Sequence, residues 1–211
     1  ILLGLVGSEM CIRDRNLTVT TGGALTDSGA ITVGSLATLV STGQSVTLGD
    51  STTANFGSLD FAGAAVSIKE GSSMEIAASE ATGILTLEAS GAITQTGAID
   101  ADLASSFTAG ANAITLSNAS NDFSGAVSLS NSGTNDVSLT DVNALDLGTV
   151  SVGQNLSVTA VGAISDTGVV TVAGTTTLDN SGGTNAAILL NSESTYTLSL
   201  IHISEPTRPS S

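Results

Sequence analysis

Between Asn16 and Thr197 this chain has no cysteine, no proline, no tryptophan and no histidine, and its only cationic side chain there is Lys69. Without cysteine, that stretch can form no disulfide and no thiolate metal site. Without histidine or arginine, it has no imidazole base and no guanidinium to hold an anionic substrate. Across the whole chain 19 acidic residues face 4 Lys and Arg, for a formal net charge of −15. Binding to nucleic acid or to an anionic membrane needs a basic surface that neutralises phosphates, and this composition predicts repulsion of both. Aromatics make up only 2% of the residues, so the bulky side chains that usually fill a thick globular core are scarce.

The residue types missing from the middle are gathered at the ends: Cys11, His202, Pro206, Pro209, Arg13, Arg15 and Arg208. LVGSEMCIRDR at 5–15 and LSLIHISEPTR at 198–208 can be written as the two strands of one short stretch of DNA, each the reverse complement of the other. Both resemble the conceptual translation of a transposase-type sequencing-library adapter. Residues 1–15 and 198–211 are therefore expected to be foreign to the fold, and a Cys11 nucleophile with a His202 base is set aside. The apolar ILLGLVG has no basic segment before it and falls far short of the roughly 20 residues of a membrane span.

What is present is Ala, Val, Leu and Ile diluted by Gly, Ser and Thr, with a mean hydropathy of +0.37 that argues against disorder. The dominant pattern is an apolar, hydroxyl, apolar triplet, which on a strand turns two side chains inward and one outward. It appears as LTV at 17–19, VTL at 46–48, VSI at 66–68, LTL at 85–87, ITL at 114–116, VSL at 127–129 and 137–139, and LSV at 156–158. Gly, Asn, Asp and Ser separate the triplets, as turns require. No stretch keeps a helical period, and Ser, Thr, Val and Gly are poor helix formers.

A longer repeat lies above the triplets. GALTDSG at 23–29, GAITQTG at 91–97 and GAISDTG at 162–168 recur at spacings of 68 and 71, each after a strand-like segment, and Phe56 and Phe123 recur 67 apart. Such periodicity marks a solenoid or an array. The expected fold is all-β: a parallel β-helix of about eight coils of roughly 20 to 25 residues, three coils to each long repeat. The long repeats are placed at about 16–82, 83–154 and 155–197, the last one truncated. The alternative is a tandem array of β-sandwiches, which normally carry more core aromatics. In a β-helix, Val127, Leu129, Val137 and Leu139 should stack between successive coils.

Segments such as NLSVTAVGAISDTGVVTVAGTTTLDN (155–180) and ITLSNASNDFSGAVSLSNSGTNDVSL (114–139) resemble the repeat regions of filamentous-haemagglutinin-like adhesins and autotransporter passengers of bacteria. The resemblance covers nearly all of 16–197. It implies a right-handed parallel β-helix that is secreted or held at the cell surface, where it works as a stalk or adhesive rod without enzymatic activity. The implied partner is a host or cell-surface glycan or protein, and the rod is expected to be monomeric through self-repulsion of its acidic surface.

Three kinds of chemistry are weighed against that reading. The acid pairs Asp100/Asp102, Asp136/Asp141 and Asp141/Asp146 could serve glycoside hydrolysis, which needs two carboxyls facing one cleft; the plainer reading is solvated turn residues. Oxygen-rich loops at 117–122, 131–136 and 179–185 offer ligands of the type calcium prefers, with Asp122, Asp136 and Asp141 as the candidates, yet none matches an EF-hand or a calcium-binding nonapeptide. No cofactor is otherwise expected. The pairs Thr18/Thr20, Thr94/Thr96 and Thr175/Thr177 suggest a flat ice-binding face, but their spacing does not recur at every coil.

Overall fold

A computed structural model of the chain describes residues 2–3, 11–12, 15–50, 53–183, 186–192 and 194–199. These residues are all β-strand and turn, with no helix among them, and every strand pairing is parallel. Antiparallel sandwiches are thereby ruled out. The strands stack as a β-solenoid of about eight coils, which begin at Leu25, Val46, Val66, Leu85, Ser105, Val127, Val150 and Val170. Successive partners along this first ladder lie 19 to 24 residues apart.

Each coil contributes up to three short strands, so three ladders run along the rod. Face A carries the coil starts, for example Val66–Glu70, Leu85–Ala89 and Ser105–Thr108. Face B carries Ile93–Gln95, Ile114–Leu116, Val137–Asp141 and Leu156–Ala160. Face C carries Leu17–Thr21, Ser79–Ala81, Ile99–Ala101 and Ile164–Asp166, and the long strands Ile31–Ser41 and Ala54–Gly63 round the corner from B to C. Neighbouring strands in such a ladder stand about 4.8 Å apart. Of the ends, the backbone of Leu2–Leu3 pairs with Thr26 and Asp27, that of Cys11–Ile12 with Thr32 and Val33, and Thr195–Ser199 lies over Val170–Asp179. His202 lies outside the described residues.

The triplets behave as their alternation predicts. Val127 and Leu129 are buried beneath Leu147 and Val150, and Val137 and Leu139 lie between Ile114 and Leu116 on one side and Leu156 and Val158 on the other. One continuous core of aliphatic side chains therefore runs along the axis, with Phe61, Phe107 and Phe123 as its largest buried members. Phe107 and Phe123 meet edge to face, their ring centroids 5.9 Å apart. The thin, elongated core explains how so few aromatics suffice: each side chain is covered by its equivalents in the coils before and after it.

The long repeat is not a whole number of coils. Leu25 of GALTDSG lies on face A, Ile93 of GAITQTG on face B and Ile164 of GAISDTG on face C. Each copy therefore comes three coils plus one strand after the last. Ten strands, rather than nine, complete a repeat, and for that reason a spacing of 68 to 71 exceeds three coils of about 20 residues.

Candidate functional site

The polar chemistry of the described residues divides into acids turned into the core and acids turned outward. Strand alternation decides which is which. In Leu25–Asp27, Val66–Glu70, Val137–Asp141 and Ile164–Asp166 the apolar residue and the acid share parity, so the acid ends the strand facing inward. Asp27, Glu70, Asp141 and Asp166 are accordingly buried.

Each of these carboxylates accepts backbone N–H groups from a neighbouring coil. Asp27 accepts the Gly49 amide at 3.1 Å, and Asp166 accepts those of Asn191 and Ser192 at 2.6 and 3.2 Å. The equivalent residue in the middle motif copy, Gln95, accepts the Asn118 amide at 3.3 Å and joins its amide group to Asn121. The same motif position thus ties one coil to the next on all three faces. Glu70 and Asp141 reach the other way, accepting the amides of Phe56 and Phe123 in the preceding coil, each at 2.8 Å. Buried asparagines do similar work: Asn121 accepts the Ile99 amide at 3.0 Å and Asn131 that of Gly153 at 3.1 Å.

Burial is the main influence on two of the inward acids, Asp141 and Glu70. It pushes the Asp141 carboxyl above the usual carboxylate range, while bonds from the Phe123 and Asn143 amides pull it down and the nearby Asp122 adds a small upward push. Glu70 is raised to about 7 by burial, against the lowering effect of its bonds to Phe56 and Ser72.

The outward acids concentrate on face C, where Asp60, Glu80, Asp100, Asp122 and Asp146 supply one to each of five consecutive coils. Asp100 is raised first by partial burial and then by repulsion from Asp122 and Asp102. Face A instead carries a row of hydroxyls in register, Thr26, Thr47, Ser67, Thr86, Ser106 and Ser128. That row is built from one hydroxyl per coil, and the Thr-x-Thr pairs singled out in the sequence do not form it.

Of the candidate calcium ligands, Asp122 and Asp141 lie near each other, and each is already bonded within the protein. Asp122 Oδ1 accepts the side-chain amide of Asn143 at 3.0 Å, and Asp136 accepts both the backbone and side-chain N–H of Asn155. Asp141 gives both its oxygens to backbone amides. Among the described residues no group of three or more His, Cys, Asp and Glu is placed to hold a metal ion. Of the acid pairs, Asp146 accepts the hydroxyls of Ser165 and Thr167, and Asp141 proves to be buried and structural rather than a solvated turn residue. An open groove of about 580 Å³ where faces B and C meet is lined by Val142, Asn143, Ala144, Val161, Gly162, Ala163, Gly183, Ala186 and Ala187, none of them charged.

Fold and inner clamps together define a β-solenoid repeat segment whose buried acids, with Asn121 and Asn131, join neighbouring coils. The chain belongs to a family described as repeats of unknown function (DUF5649), whose model matches residues 12–61, 63–130 and 134–197. Each matched stretch contains one copy of the GA-[LI]-[TS]-[DQ]-[ST]-G motif. No curated protein and no solved structure matches the chain.

Proposed function

We propose that this segment is a non-enzymatic structural and adhesive rod within a large bacterial protein that is secreted or displayed at the cell surface. The observation that carries the reading is the use of the buried carboxylates: Asp27, Glu70, Asp141 and Asp166 bond backbone amides of adjacent coils instead of facing one another across a cleft. Glycoside hydrolysis needs two carboxyls about 5 to 9.5 Å apart with room for a sugar between them. Acids committed to coil-to-coil bonds are poor general acids and good fasteners. The outer faces, one acidic and one hydroxyl-rich, support solubility and offer a flat surface to a glycan or protein partner, while a net charge of −15 disfavours nucleic acid and anionic lipid.

The test uses antibody raised against the purified chain. Labelling of intact source cells or their medium is the expected result, and labelling only after lysis would overturn the surface assignment. Beads coated with the chain should bind host-type glycan or protein arrays above an albumin control, and release of reducing sugar from those glycans would overturn the non-enzymatic reading.

A further inference from the structure

Glu70 ends the strand Val66–Glu70 and is fully buried. Its Oε1 accepts the Phe56 amide at 2.8 Å and the Ser72 hydroxyl at 3.0 Å. Its Oε2 is shut off from solvent with no hydrogen-bond partner. Asp141 performs the same task for Phe123, the Phe that recurs 67 residues after Phe56, but its second oxygen accepts the Asn143 amide at 3.0 Å. Of two equivalent fasteners, one is satisfied as an anion and the other is not.

Among the described residues no charge compensates Glu70. On its own strand, Lys69 points outward and pairs at 2.7 Å with Glu88 of the strand above. Asp60 of Ala54–Gly63, Glu75 of Met74–Ile76 and Asp50 in the preceding coil are the other ionisable groups on the elements around it. All three are acids that face outward or lie in exposed turns. An anion there has a bare oxygen in a nonpolar setting, whereas a protonated acid keeps Oε1 as the acceptor for Phe56 and carries no charge.

We propose that Glu70 is a proton-operated latch between the second and third coils, neutral when the seam at Phe56 is closed and ionised when it loosens. The latch is local because the ladder itself is interrupted here: Ala54 pairs with Glu70, Leu59 next pairs with Ile76, and the Phe56 amide between them relies on the side chain. The carboxyl, raised to about 7 from 4.5, sets the direction. A folded value above the unfolded one means that this group's contribution to stability is complete below 4.5 and is lost as pH rises towards about 7, after which it changes no further.

The experiment is amide hydrogen exchange on the full chain, corrected for intrinsic rate, together with an NMR titration of the Glu70 carboxyl carbon. Between about pH 5 and about pH 8, protection of the Phe56 amide should fall by a factor on the order of 50 to 100, as linkage over that interval requires. The Val158 amide, far along the rod, should show no such fall. In Glu70→Gln the pH dependence at Phe56 should disappear. Equal pH responses in the two proteins would overturn the latch. So would a Glu70 carboxyl that titrates in the ordinary glutamate range in the unaltered chain, a measurement that stands even if the variant fails to fold.

Discussion

The Phe123 amide donates to Asp141 Oδ1 at 2.8 Å, so a side chain of one coil supplies the acceptor that the backbone facing Phe123 does not. Asp141→Ala removes the partner of two amides, Phe123 and Asn143. The expected loss is about 2–4 kcal/mol, from the cost of leaving buried donors unmade. Asp141→Asn keeps one oxygen and should lose less. Denaturant midpoints, together with exchange at Phe123, measure both variants, and an alanine variant as stable as the parent would show that the bond contributes nothing.

Phe107 and Phe123 pack edge to face within the aliphatic core, at an interplanar angle of 84°. Phe107→Ala should cost about 3–5 kcal/mol, the range for emptying a buried aromatic site. A double-mutant cycle with Phe123→Leu should return a coupling of about 0.5–1.5 kcal/mol for the ring pair.

Gly97 closes the middle motif copy where two coils come together. A Cβ there would stand 2.7 Å from the Ala77 carbonyl carbon, with backbone rather than a yielding side chain in the way. Gly97→Ala is expected to cost about 1–3 kcal/mol through overpacking. Thr86→Ala, on the exposed side of face A, should stay within about 0.5 kcal/mol. Thermal unfolding of the pair separates close approach of the chain from a general intolerance of substitution.

Lys69 and Glu88 form an ion pair whose side chains are 55% and 46% exposed. Solvent screening limits such pairs, and Lys69→Met should change stability by less than about 1 kcal/mol, with the difference shrinking further in high salt. A larger effect would mean that the single cation of the repeat region balances the acidic surface as a whole.

Much of this arrangement can be read from strand parity. Val127 and Leu129 face inward because Ser128 must face out, and the same alternation carries Asp141 inward after Val137 and Leu139. Asp, Asn and Ser favour turns, a preference that predicts a solvated Asp141; alternation within the strand outweighs it. The partner of each buried acid was not legible, because it belongs to another coil some 14 to 26 residues away, at a separation that varies with local coil length. Coil length also hid the relation between the two periods: with partners 19 residues apart at Val66 and 24 apart at Thr171, a spacing of 68 reads equally well as three coils or as three and a fraction.

That fraction has a consequence for how the rod is assembled from its parts. Adding or deleting one long repeat leaves the ladder unbroken, yet turns everything beyond the change by about a third of a turn around the axis. A partner lying along one side of the rod meets equivalent residues only at every third repeat. Repeat number therefore sets direction as well as length: it decides towards which side the loops beyond it point.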